Sequence, residues 1–394
     1  MNETPVAIDT GTAYGMAPPS FDADLIEVEA GTPTGEMLRR YWHPFAVAVD
    51  ATDTPKHVRI LGEDLILFRD GNGRPGLVYP RCCHRGTTLY YGKVEADGIR
   101  CCYHGWLFDV QGHCLDMPVE TDGGQHKGRY RQPWYPVHEY HGMLFAYLGP
   151  PEHKPLFPTY DVFDDVPDGW HIVADDNNIG LEGDPTPCNW FQTHENVMDP
   201  FHVFVLHAGF SGNQFVTEMA ALPEVSWHFT DVGVKSHQDR VLDDGRFFHR
   251  VTEVVMPNVR IVATPFVEVT GPATSVAWTL PISRTETKIF TLVKRPMDAA
   301  QPRALYDGKR WTELTDEEHQ RFPGDYEAQV GQGAVTAHSE ENLAGSDRGV
   351  TMFRHVFRQQ LKALAAGDSP VATEHYTVRA GNYIGNKDDV INLG

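Results

Sequence analysis

Basic residues are scarce in this chain. Thirty-three Lys and Arg stand against 54 Asp and Glu, for a formal net charge of −21. That balance argues against nucleic acid or an anionic membrane surface as a partner. No Lys or Arg precedes Arg39, and Glu3, Asp9, Asp22 and Asp24 make the start acidic, so the pattern of a secretory signal is missing. Long apolar runs are absent too: none reaches the roughly 18 residues that a membrane span needs. The expected location is therefore the cytoplasm, with no membrane contact. Cysteine is sparse, with six in all and four of them between positions 82 and 102, which excludes a disulfide framework. Neither internal repeats nor low-complexity segments interrupt the chain. No G-x-G-x-x-G unit after a strand is read in it, and no second cysteine set of the plant ferredoxin type. What remains is an ordinary globular composition, 41% hydrophobic and 22% charged over 394 residues, long enough for two domains that each have a core.

The most informative stretch is Arg81–Trp106, R-C-C-H-R-G-T-T-L-Y-Y-G-K-V-E-A-D-G-I-R-C-C-Y-H-G-W. Cys82-x-His84 is followed, after sixteen residues, by Cys101-x-x-His104. Two thiolates and two imidazoles on neighbouring loops form the ligand set of a Rieske [2Fe–2S] centre, with both cysteines on one iron and both histidines on the other. A zinc site would accept the same four donors. Glycines 86 and 105 are expected to let backbone N–H groups approach the cluster sulfurs. The stretch resembles the Rieske ring-hydroxylating oxygenases, whose usual forms are C-P-H-R-G and C-P-Y-H-G-W. Here Cys83 and Cys102 replace both prolines, so each loop offers two adjacent cysteines. Spacing favours Cys82 and Cys101 as ligands, because Cys83 adjoins His84 directly. Cys83 and Cys102 could face each other, and cytosolic thiols are expected to be reduced.

Along the chain, residues 1–40 read as an acidic, Pro/Gly-rich arm followed by a short helix from Thr34 that ends on Tyr41-Trp42. From Val58 the apolar period becomes two, with short strands at Val58–Ile60, Leu65–Phe68 and Leu77–Tyr79 and a hairpin turn at Asp70–Gly73. Further strands are expected near Gly98–Arg100, Leu107–Val110, Tyr135–His138 and Gly142–Leu148. Many short strands with glycine turns indicate a small all-β domain, 41–155, closed by the proline-rich run Gly149–Pro155. Residues 156–394 make the second domain. In it, 215–295 read as one large antiparallel sheet, and the last hundred residues turn helical, most clearly from Ser346-Asp347-Arg348 to Gly367. The fold class is therefore α+β.

A second cluster of metal-binding residue types lies in Glu195-Asn-Val-Met-Asp199-Pro-Phe-His202-Val-Phe-Val-Leu-His207. His202 and His207 are candidate ligands for one iron. On an ideal helix, residues five apart lie roughly 140° apart, so both imidazoles reach one metal only if the helix bulges or ends between them. The alternative is two ordinary histidines on an apolar helix.

Taken together, the two motifs resemble the α (oxygenase) subunit of a Rieske non-haem iron oxygenase, in the phthalate dioxygenase and O-demethylase branch, from about Leu38 to about Arg358. The resemblance implies a Rieske domain, a C-terminal helix-grip catalytic domain and a homotrimer or a multiple of it. It also implies a third ligand, a carboxylate completing a facial triad on Fe(II), in the segment Gly324–Gly333. Asp325 matches the family position, and Glu327 is the neighbouring alternative. Asp199, three residues before His202, shares its helix face, and its carboxylate could accept the outer ring N–H of His202. In the family this Asp joins the two metal sites across a subunit boundary, a role that would pair it with His104.

The implied activity uses O2 and electrons from a separate NAD(P)H-dependent reductase, with or without a ferredoxin, to hydroxylate or oxidatively demethylate a small aromatic substrate. A Rieske electron-transfer protein without oxygen chemistry is the alternative. Arg250 and Arg260 lie on predicted strands. They are either exposed sheet arginines or partners for a substrate carboxylate.

Overall fold

The computed structural model describes residues 11–176, 183–211, 214–265, 270–299, 309 and 311–391. The first ten residues of the expected arm lie outside these. The rest of the arm is laid over the surface of the C-terminal half. Leu25, Ile26 and Val28 are buried, Ile26 O accepts from Asn189 Nδ2 at 3.1 Å, and Glu27 pairs with Arg284 at 2.6 Å. The short helix spans Pro33–Leu38 rather than starting at Thr34, because Thr32 caps it by accepting from Gly35 N. Trp42, expected at its end, opens the strand Trp42–Val47 instead.

Three small antiparallel sheets follow. Trp42–Val47 pairs with Met143–Tyr147, which pairs with Val137–Tyr140. Lys56–Ile60, Glu63–Arg69, Pro75–Val78 and Trp134–Tyr135 form the second sheet, and Lys93–Glu95, Gly98–Arg100, Leu107–Phe108 and Cys114–Asp116 the third. The hairpin turn falls at Asp70–Gly73, where the Asp70 carboxylate accepts from Asn72 N and Arg74 N. Gly71-Asn-Gly-Arg-Pro-Gly76 does spell the glycine spacing of a dinucleotide fingerprint. It leads from one strand of this hairpin into the next, with no helix N-terminus to receive a phosphate.

The C-terminal half is built on a nine-stranded sheet in which every pair is antiparallel. Its path runs Trp170–Asp175, Glu286–Pro296, Ser275–Ser283, Val259–Val262, Phe247–Val255, Gly233–Val241 and Glu224–Thr230. The last hundred residues are not wholly helical. Gly381–Gly385 returns to pair with Phe247–Val251. The helix Arg348–Ala365 is as the periodicity predicts, with Phe353 and Phe357 buried against Phe191 and Trp190 at 5.4 and 5.6 Å.

The two halves do not each have a core of their own. One apolar cluster runs from Leu25 and Leu38 through Phe145 and Tyr147 to Trp190, Trp278 and Phe357, and Phe145 meets Trp278 edge-on at 5.2 Å. Leu61 N and Gly62 N donate to Pro281 O and Ile282 O across the same junction. Only a smaller cluster, with Ile66, Phe68, Ile99, Trp106 and Phe108, belongs to the N-terminal half alone. The proline-rich run at 149–155 is likewise pinned back, with Trp42 Nε1 donating to Pro155 O at 3.2 Å.

A buried ion pair fixes the helix that leads to the second site. Glu195, the last residue of Trp190–Glu195, receives two bonds from Arg354 at 2.6 and 2.7 Å, and Arg354 also pairs with Glu341. Burial pushes the Glu195 carboxyl up, and the guanidinium opposes this. Removing the guanidinium would leave a carboxylate buried without compensation. We expect Arg354→Ala to cost about 3–5 kcal/mol, read as a lower urea midpoint with an unchanged slope; a loss under about 1 kcal/mol would show that the pair behaves as a surface bridge.

Candidate metal centres

Two loops of matching shape hold the first donor set. In one, Cys82 N donates to Thr87 O and Gly86 N to Cys82 O; in the other, Cys101 N donates to Trp106 O and Gly105 N to Cys101 O. Gly86 and Gly105 have φ of +78° and +74°, a conformation glycine adopts without strain. Their own N–H groups close the loops on the cysteine carbonyls. Cys82 and Cys101 are buried, whereas Cys83 and Cys102 are exposed, and all six cysteines are free thiols. The rings of His84 and His104 meet edge-on at 4.6 Å. His84 stacks on Trp106 at 4.5 Å.

The donors thus converge as two buried sulfurs and two half-exposed imidazoles. Burial, with the facing Cys101 sulfur, pushes the Cys82 thiol up to about 12, so a thiolate pair there needs cations beside it. That requirement suits a [2Fe–2S] cluster. Replacing proline by Cys83 adds a backbone N–H, and Gln132 takes it: Cys83 N donates to Gln132 Oε1 at 2.8 Å, while Gln132 Nε2 donates to Tyr79 O and Arg81 O. Gln132 was not found from the sequence, because nothing local marks it.

The second donor set depends on a π-helix. Val203–Phe210 is wound with i→i+5 geometry, which brings residues five apart back toward one face. This resolves the 140° problem, and the rings of His202 and His207 lie 5.4 Å apart. Asp325 opens the helix Asp325–Val330. Its Oδ1 lies 3.5 Å from His202 Nε2 and 3.3 Å from His207 Nε2. Ligands at right angles about a metal–donor distance of 2.0–2.1 Å stand about 3 Å apart, so the three atoms fit one ion. His207 Nε2 is buried with no hydrogen-bond partner, as a donor reserved for a metal would be. Glu327 is occupied elsewhere: it accepts from Gly324 N and contacts His319 Nδ1.

Neighbours orient both imidazoles. Gln214 Oε1 accepts from His207 Nδ1 at 2.6 Å, and the Asp199 backbone carbonyl accepts from His202 Nδ1. Each ring thereby presents Nε2 to the centre. The carboxylate of Asp199 was expected to take that proton, but its Oδ2 lies 3.8 Å from His202 Nδ1. Its Oδ1 instead accepts from Phe201 N at 3.1 Å and His202 N at 3.4 Å, because a residue before Pro200 at a helix start caps the freed N–H groups. Asn196 Nδ2 lies 3.3 Å from Asp325 Oδ1. Burial alone would raise the Asp325 carboxyl, but the His207 ring 3.3 Å away and the other groups facing it outweigh burial and hold it low.

Of the two predicted arginines, Arg250 is buried and satisfied by Asn382 Oδ1 at 2.6 Å and Ala263 O at 2.9 Å. It is neither exposed nor free. Gln214, Asn196, His194 and Thr279 were missed. For Asn196, its place beside Glu195 in the motif was the one available signal.

Comparison with known proteins gives a consistent set. The Rieske [2Fe-2S] domain family matches residues 41–136. The chain is 45% identical to the phenoxybenzoate dioxygenase α subunit of Ectopseudomonas oleovorans, over 96% of this chain and 95% of that one. It is 32% identical to the 5,5'-dehydrodivanillate O-demethylase oxygenase subunit of Sphingobium sp., over 88% and 81%. Among solved structures, dicamba monooxygenase bound to dicamba is similar in fold at a TM-score of 0.60, with 17% identity over 84% of this chain and 99% of that one.

Proposed function

The chain belongs to the oxygenase α subunits of the Rieske non-haem iron oxygenases and is thus an oxygen-incorporating oxidoreductase, and from that premise we propose how its residues serve the reaction. Cys82, His84, Cys101 and His104 hold the [2Fe–2S] cluster, and His202, His207 and Asp325 hold the mononuclear iron. When bound, the cluster supplies single electrons and the iron supplies the site at which O2 is activated. Gln214 and the Asp199 carbonyl hold both imidazoles with Nε2 aimed inward. A facial set of three leaves the opposite side open to O2 and substrate.

Residues 41–155 serve as the cluster domain, 156–394 as the catalytic domain, and 1–40 as an arm clasping the latter. Electrons come from a separate reductase, with or without a ferredoxin, and the protein works in the cytoplasm as a homotrimer or a multiple of it. Among the described residues no helix is long and apolar enough to cross a membrane.

The observation that carries this reading is the convergence of His202, His207 and Asp325 on one point. A Rieske electron-transfer protein without oxygen chemistry has no use for such a site. The proposed substrate is a small aromatic molecule. The test is an NAD(P)H-oxidation screen with a surrogate reductase over aromatic acids, including phenoxybenzoates, and methoxy-aromatics. Product formed in step with NAD(P)H consumption supports the reading. A cluster that cycles while no aromatic compound is oxidised overturns it.

A further inference from the structure

Beside the mononuclear site the sheet presents a cation that has no hydrogen-bonded partner among the described residues. The strand Val259–Val262 alternates, with Val259 and Ile261 buried and Arg260 and Val262 half-buried on the other face. Arg260 stands opposite Val254 on one neighbouring strand and Ala277 on the other. Two residues beyond Ala277, on the same face, Thr279 Oγ1 bonds His194 Nδ1 at 3.0 Å. His194 belongs to the helix that runs on to Asn196 and the metal site. It is fully buried, and its Nε2 has no hydrogen-bond partner.

Arg260 has no hydrogen-bonded or ion-paired acceptor among the described residues, in contrast to Arg250 on the same face. Burial, with the Arg260 charge as a smaller cause, lowers the His194 imidazole to about 3. His194 is therefore neutral, with one ring nitrogen left for a ligand.

A divalent iron with one carboxylate ligand carries a net positive charge. Arg260 adds another in the same half-buried place, and an unpaired buried charge is costly. The natural compensation is an anion that arrives with the substrate. A single guanidinium fork matches a carboxylate with two parallel bonds. Val262 and Ala277, both half-buried, flank it on the same face. A chain of net charge −21 repels free anions overall, so capture of one requires a specific local cation.

We propose that Arg260, with His194 Nε2 beside it, is the anchor for the carboxylate of an aromatic acid, and so selects aromatic carboxylates over neutral aromatics. This rests on the oxygenase reading above. The test uses holoenzyme and two probes, 4-phenoxybenzoate and its uncharged primary amide, with affinities read by calorimetry. Wild type binds the acid in preference to the amide. Arg260→Gln weakens acid binding roughly 10- to 100-fold, the range for loss of a charge-assisted pair, and leaves the amide within about twofold. Arg260→Lys falls between, since it keeps the charge and loses the fork. The cluster spectrum and thermal unfolding verify that each variant is folded.

Equal losses for acid and amide, or no loss for the acid, overturn the proposal. A wild type that oxidises neutral methoxy-aromatics but binds no acid overturns the anchor and leaves the oxygenase reading standing. Acid binding that depends on Arg260, without oxidation of any aromatic, does the reverse.

Discussion

His207→Ala should leave the visible absorption of the cluster unchanged and reduce product formation by orders of magnitude. Cys101→Ala should remove the absorption itself. The asymmetry follows from the separation of the two donor sets. His207 Nε2 faces Asp325 and His202, and its other nitrogen is tied to Gln214, so truncation empties one corner of a three-donor site. Cys101 is buried opposite Cys82 in the other set. Alanine at 207 sits in a π-helix whose path is also supported by Ser211 Oγ donating to Pro323 O, so the fold should survive. Metal analysis of wild type should give three irons per chain, two of them with acid-labile sulfide. The His207→Ala protein should retain the two and lose most of the third. Bleaching of the cluster in His207→Ala, or full activity with zinc in place of iron, would overturn the two-site assignment.

Asp199→Asn is expected to slow reoxidation of the reduced cluster by orders of magnitude in a single turnover with substrate and O2, while both metals and substrate affinity are retained. The structure makes this a clean substitution. Oδ1 of Asp199 caps Phe201 N and His202 N, and asparagine caps equally well. What is lost is the negative charge and the acceptor at Oδ2, which is not used by His202 Nδ1 at 3.8 Å. In the proposed homotrimer that oxygen would accept the outer N–H of His104 from a neighbouring subunit. Stopped-flow absorbance of the cluster reads the rate directly. A wild-type rate in Asp199→Asn would eliminate the bridge.

The two donor sets differ in how far the sequence revealed them. Cys82, His84, Cys101 and His104 were legible because each pair lies within a single turn, so spacing alone dictates convergence. His202 and His207 were legible as a pair but not as a geometry, since the π-winding that aligns them reflects tertiary packing and not propensity. Asp325 came from the family pattern, and only the structure separates it from Glu327, which is committed to Gly324 N. Arg250 and Arg260 look alike as strand residues. What distinguishes them is Asn382, carried on a returning strand that the helical tail of the sequence did not suggest. His194 and Thr279 meet across the sheet and leave no local trace. Most strands of the N-terminal half were read from alternation, a local signal, but Trp42–Val47, Lys93–Glu95 and Cys114–Asp116 were not, and the expected Tyr135–His138 strand is two strands in different sheets. The shared apolar core was not, because it depends on Phe145 finding Trp278.

That shared core makes the boundary near residue 155 a poor place to cut or graft. A transplanted N-terminal half would bring its own counterparts of Leu61, Gly62 and Phe145 to a sheet still shaped for the originals at Pro281, Ile282 and Trp278. His43 Nδ1, which meets Asn258 Nδ2 at 3.2 Å, would need a matching amide as well. Chimaeras between relatives should therefore fold only when the seam follows the packing and both walls are exchanged together. On the proposed assignment, the half that holds the cluster is packed into the same core as the sheet, so electron delivery is expected to depend on geometry set at folding.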